Sequence, residues 1–149
     1  MGAALFYHLT RSGPRQLVPA LVGKSLQAGW RIALRGRDRA GLQALDESLW
    51  QGDGFLPHGL AGGPHDARQP VLLVLEGQAA VNAPACVIAL DGAEVSVEEV
   101  QGLERVCILF DGNDPAALER ARDQWRALKG AGAAAEYWSE AGGRWERKQ

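Results

Sequence analysis

The sequence predicts an α/β fold with a mostly parallel sheet and helices on both of its faces. Three observations carry that expectation. Pro70 to Leu75 (PVLLVL), Ala85 to Leu90 (ACVIAL) and Arg105 to Phe110 (RVCILF) are unbroken apolar runs, the pattern of strands covered on both sides. Helical segments alternate with these runs, as crossover connections between parallel strands require. Asp91-Gly92 and Asp111-Gly112 close two of the strands with turn signals.

Taken in order, Ala3 to Leu9 reads as a first strand, and Arg11 to Gln16 as a turn with Gly13 and Pro14. A helix is expected from about Leu17 to Ala28, with Leu17, Ala20, Leu21 and Ala28 on its inner side. Pro19 fits a first turn, so the helix should begin just before it, and Gly29 should stop it. Trp30 to Leu34 is the second strand. Asp38 caps a helix with Leu42, Leu45 and Leu49 at helical spacing. After a long loop, Gln51 to Gln69, come the three apolar strands, with a short helix capped by Ser96 between the last two. Asp114-Pro115 joins a cap to an N1 proline and starts a helix running to about Lys129, with Gly130 as its stop. Ala133 to Trp138 and Gly143 to Arg147 suit a final strand or hairpin, and the polar end Glu146 to Gln149 is expected to fray. The right-handed crossover rule turns this order into a single Rossmann-like layout over residues 1–149.

The chain has 149 residues, 46% hydrophobic and 23% charged, with net charge −2. This length gives one core that needs no covalent staples. The charge does not favour direct nucleic-acid binding, which expects a basic stripe. Cys86 and Cys107 sit in apolar runs and read as reduced, buried thiols of a cytoplasmic protein; a disulfide between neighbouring strands stays open. The N-terminus lacks the pattern of a secretory signal, and no run approaches the ~18 apolar residues of a membrane span.

Catalytic and cofactor motifs fare poorly. Gly23-Lys24-Ser25 has Val18 where a P-loop needs its first glycine, and it falls inside a helix. Thr10-Arg11-Ser12-Gly13-Pro14 carries one glycine of the three in a dinucleotide-binding turn. His58 and His65, with Asp53 and Asp66 nearby, match no metal-ligand spacing and read as hydrogen-bonding loop residues. Asp46 and Glu47 point roughly 100° apart on a helix, which does not suit an acid/base pair. No catalytic residue, metal or cofactor is expected.

Two segments do suggest binding. Leu45 to Gly62 (LDESLWQGDGFLPHGLAG) runs from a helix into a loop with Trp50, Phe55, Leu56, Pro57, His58 and Leu60. Loops are normally polar, so this one either folds back on the core or covers a partner. In the last helix Leu118, Ala121, Trp125 and Leu128 form an apolar stripe, and Arg122, Arg126 and Lys129 run beside it. Cations bordering an aromatic suit a short acidic peptide with a hydrophobic end. The same spacing also suits an ordinary amphipathic helix with a solvated basic edge.

LFYHL at the start, Gly29-Trp30-Arg31, LDESLW, FLPHGLAG, PVLLV and ARDQWRALKGAG occur in an order that resembles the chi subunit family of bacterial DNA polymerase III. LDESLW followed by FLPHGLAG is the most specific part. The resemblance implies a Rossmann-like accessory subunit without catalysis of its own. Such a subunit links the clamp loader, through the small psi subunit, to single-stranded-DNA-binding protein in DNA replication. It implies that Arg122, Trp125 and Arg126 lie on the helix that binds the acidic C-terminal tail of the latter; Lys129 is added from helix geometry. Trp50 and Phe55 match the aromatic positions of the psi-facing surface, and Pro57 and His58 belong to the same motif. Asp111 and Leu118 depart from the family near the tail pocket, where an apolar and a basic residue can stand. An equivalent clamp-loader segment or a helicase is the other occupant considered for the loop. The rival class is a small α/β nucleotide-binding protein or enzyme, with a pocket at the carboxyl ends of the strands.

Overall fold

A computed structural model describes residues 2–51 and 56–149. Eight strands form one sheet: β1 Ala3–Leu9, β2 Ile32–Gly36, β3 Gly59–Leu60, β4 Val71–Leu75, β5 Cys86–Ala89, β6 Arg105–Asp111, β7 Ala135–Ser139 and β8 Glu146–Arg147. Four α-helices accompany them: α1 Pro14–Gln27, α2 Arg39–Gln51, α3 Val97–Gly102 and α4 Pro115–Gly130. The strand order is β3-β4-β2-β5-β6-β1-β7-β8. Every neighbouring pair is parallel except β7–β8. The expected α/β architecture with a mostly parallel sheet is therefore present.

Both faces of the central strands are covered, which is why their sequences do not alternate with polar residues. Val71 and Leu73 of β4 join Val18, Leu21 and Val22 of α1 and Leu42, Leu45 and Leu49 of α2 in one core. Leu72 and Val74 join Val100 of α3 and Ala121 and Leu128 of α4 in the other. The same alternation in β1 sends Ala4 and Phe6 to the α4 side. β1 lies between β6 and β7, so its register sets Phe6 against Tyr137 and His8 against Ser139 on one side, and His8 against Phe110 on the other.

Several boundaries differ from expectation. α1 begins at Pro14, and Pro19 lies within it. Proline removes one helical hydrogen bond, whose acceptor would have been the Arg15 carbonyl. Arg15 and Pro19 are both exposed, so water can serve that carbonyl. Gln16 Oε1 accepts the Gly13 N–H at 2.8 Å and fixes the earlier start. The buried face of α1 is Val18, Leu21, Val22 and Ser25, while Ala20 and Ala28 are exposed. α4 ends at Gly130 as expected; beyond it Gly132 takes the left-handed conformation (φ 85°) and Ala133 N–H bonds to Leu128 O. The chain end is ordered: Trp138 pairs with Arg147, Ser139 with Glu146, and Lys148 N–H reaches Tyr137 O at 2.6 Å.

α3 is tied to the sheet by charge. Arg35 of β2 is 8% exposed and donates to Glu94 O at 3.0 Å and Glu99 Oε1 at 2.9 Å. A second Arg35 nitrogen pairs with Glu99 Oε2. Glu99 also accepts Ser96 N–H, closing the capping box. The bonds to Arg35, first of all, hold the Glu99 carboxyl below its usual value against the opposing effect of burial.

Candidate functional site

The candidate site begins on α4. Asp114 caps the helix by accepting Ala116 N–H at 3.0 Å, with Pro115 behind it. Ala121 and Leu128 anchor its buried face. At 100° per residue Trp125 falls on the edge of that face, with Leu118 beside it and Arg122 and Lys129 next outward. Trp125 is half-buried, and Arg122, Arg126 and Lys129 are exposed. The four residues expected from spacing thus share one side of the helix, but their charges are not equivalent. Arg126 pairs with Asp123 at 3.2 Å. Lys129 Nζ lies 5.7 Å from the Trp125 ring centre, within cation–π range. Among the described residues no carboxylate pairs with Arg122.

The sheet supports this helix edge with rings. Phe6 meets Trp125 edge-on at 5.2 Å and 79°, and Tyr137 meets it at 5.7 Å and 87°. Both are favourable aromatic geometries. Beyond them His8 packs on Phe110 at 5.2 Å and on Tyr137 at 5.9 Å. His8 Nδ1 and Tyr137 Oη are 2.8 Å apart. Burial, and then the charge of Arg122, push the His8 pKa below its ordinary value. Burial raises that of Tyr137, with Arg122 opposing. One guanidinium thus bears on both rings. The face combines a fixed aromatic wall with an unpaired cation, which can hold an aromatic side chain beside a carboxylate. His8, Tyr137 and Phe6 were missed in the sequence; the alternation in LFYHL places Phe6 and His8 together, but nothing local brings Tyr137 to them.

The second expected surface spans the end of α2 and the segment that follows it. Trp50 is 53% exposed, and its ring centre is 4.3 Å from that of His58. His58 is buried beneath it, with Nδ1 2.7 Å from Leu56 O and Nε2 3.0 Å from Asp46 Oδ1. The histidine is a structural prop, as its loop position suggested. Pro57 is exposed, Leu56 packs against the core, and Phe55 lies outside the described residues. Trp50 and His58 come together; they stand apart from the α4 face.

The remaining motifs serve structure. Ser25 is buried in α1 and donates to Leu21 O at 2.8 Å, so Gly23-Lys24-Ser25 is helix rather than phosphate loop. The turn after β1 does present an anion cradle, and Glu140 fills it. Glu140 Oε1 accepts N–H from Thr10, Arg11 and Ser12 at 3.1, 2.9 and 2.8 Å, and Ser12 Oγ at 2.9 Å. These bonds outweigh burial and lower the Glu140 pKa. Cys86 and Cys107 are buried free thiols. Among the described residues no group of three or more His, Cys, Asp or Glu could hold a metal, and no helix is long and apolar enough to cross a membrane. A hollow of about 980 Å³ lies far from the aromatic wall, lined by Arg35, Glu76, Val87, Glu94, Glu99 and Leu103 among others.

Comparison with known proteins adds what geometry alone does not. The family model described as DNA polymerase III chi subunit, HolC, matches residues 1–136. The chain belongs to the DNA polymerase III chi subunit family. That membership makes it an accessory subunit of DNA polymerase III and places it in DNA replication. No curated protein matches the chain. The chi-family span takes in β1, the Trp50 loop and all of α4, whereas Tyr137 and Glu140 lie beyond it.

Proposed function

We propose that this chi-family chain is a non-catalytic adaptor that links the clamp loader to single-stranded-DNA-binding protein. In this reading residues 1–149 form one Rossmann-like domain working in the bacterial cytoplasm. The α4 face receives the acidic C-terminal tail of single-stranded-DNA-binding protein. Trp125 supplies apolar contact, Arg122 and Arg126 pair with tail carboxylates, and Lys129 adds charge beside the indole. Trp50, Phe55 and Pro57 form the surface for psi, or for an equivalent clamp-loader segment or helicase, with His58 buried beneath Trp50 as its support.

The observation that carries the reading is the half-buried Trp125, braced by Phe6 and Tyr137, with Arg122 unpaired next to it. An ordinary amphipathic helix does not require a buttressed indole beside a cation left without a partner. The rival reading, a nucleotide-binding protein, has its phosphate cradle after β1 filled by Glu140. The test is a fluorescence-anisotropy titration with the C-terminal peptide of the same organism's single-stranded-DNA-binding protein, with and without its last aromatic residue. Saturable, salt-sensitive binding that needs the aromatic is expected. Equal binding of both peptides, or none, sinks the proposal.

A further inference from the structure

We propose that His8, held by Tyr137, is a second anchor for the peptide carboxylate that Arg122 receives, so that the affinity of this face depends on pH. The inference rests on the reading of α4 as an acidic-peptide site and goes beyond it by assigning a residue on the sheet. His8 projects from β1 on the α4 side, between Phe110 and Tyr137. Its Nδ1 is engaged by Tyr137 Oη at 2.8 Å. When the tyrosine hydroxyl donates, the proton of the neutral ring sits on Nε2. Among the described residues no protein group bonds to Nε2, and it is not a buried orphan. The ring occupies its seat only because residue 112 is glycine: a Cβ there would stand 1.9 Å from His8 Cδ2 and 2.0 Å from Nε2.

The charges around His8 are lopsided. Arg122 faces it from α4 and the neutral Tyr137 from β7. On β6 the neighbour is Phe110; Asp111 at the strand end is exposed and accepts Asn113 N–H at 2.9 Å. Glu140 follows β7, but its carboxylate is turned to the backbone of residues 10–12. Among the described residues no carboxylate therefore pairs with His8, and burial and then the Arg122 charge both disfavour its protonated form. An arriving carboxylate offsets the Arg122 charge and gives a protonated His8 a partner. Binding then takes up a proton, and affinity rises as pH falls through the ordinary histidine range.

The experiment uses the intact protein and a labelled acidic peptide ending in an aromatic residue, as the free acid and as the C-terminal amide. Affinity is read by anisotropy between about pH 5.5 and 8 at fixed ionic strength, where peptide carboxylates stay ionised. Wild type should bind the free acid about three- to tenfold more tightly at the acid end. His8→Leu should flatten that profile, and Tyr137→Phe should shrink the slope. The amide should bind more weakly and without the slope. NMR of the wild-type histidine rings gives a readout independent of variant folding: the His8 pKa should rise when the free acid binds, which a purely structural histidine would not show. An unchanged His8 pKa, or a full slope in His8→Leu, overturns the assignment of His8 while leaving the peptide site intact. Absence of any saturable binding overturns both.

Discussion

The α4 face and the Trp50 loop each present a tryptophan, and the two are built in opposite ways. Trp125 is half-buried, with rings on two sides and a cation outside. Trp50 is 53% exposed and packs on the buried His58, whose ring nitrogens both face acceptors. A buttressed indole gives a fixed wall for a small guest and orders little on binding. A projecting indole is itself the guest: it gains most of its energy by entering a partner's pocket, as interface anchors do. On the proposed function one surface receives its partner and the other inserts into it, a division that suits a bridge between two assemblies.

Substitutions can break this contrast. The largest effect is expected for Trp125→Ala, which should cost about 2–4 kcal/mol of stability, since a partly buried aromatic loses less than a core one. Urea denaturation measures it, and peptide binding should fall in parallel. A loss under about 0.5 kcal/mol, the usual range for surface changes, would make Trp125 as peripheral as Trp50. Arg122→Ala comes next: stability should stay within about 0.5 kcal/mol, while peptide affinity weakens by about 1–3 kcal/mol and becomes less salt-dependent. Unchanged anisotropy curves would remove Arg122 from the site.

Glu99→Gln tests the scaffold behind both surfaces. It should cost about 1–2 kcal/mol at neutral pH, a figure kept modest because Glu99 is 32% exposed. Its folded pKa lies below the ordinary carboxylate value, so its contribution is full above about pH 4.3 and fades as pH falls through the folded value. Wild-type stability should therefore drop on acidification, and the drop should be smaller in Glu99→Gln; parallel curves would assign the acid sensitivity elsewhere. Trp50→Ala should cost under about 1 kcal/mol of stability, with peptide binding intact and clamp-loader co-purification lost. Normal co-purification would leave the loop without its proposed role.

The same contrast explains what the sequence revealed. Trp125, Arg122 and Lys129 are within one helix, so their shared side follows from 100° steps. The caps at Asp38, Ser96 and Asp114 and the apolar runs of β4, β5 and β6 are equally local signals. His8 and Tyr137 are 129 residues apart and meet only because β7 adds to the outer side of β1. No local pattern encodes that neighbourhood. Pro19 misled for a different reason: its missing bond is cheap when the orphaned carbonyl faces water, and exposure was not visible in the residue string.

The carboxylate of Glu140 reaches back across 128 to 130 positions to satisfy the first turn of the chain. It acts as a resident surrogate for the phosphate that comparable turns hold in other proteins. The last segment of the chain therefore does more than extend the sheet: it supplies the acceptor for the amide groups of that turn. Clipping the chain ahead of residue 140 would leave the N–H groups of Thr10, Arg11 and Ser12 without that acceptor.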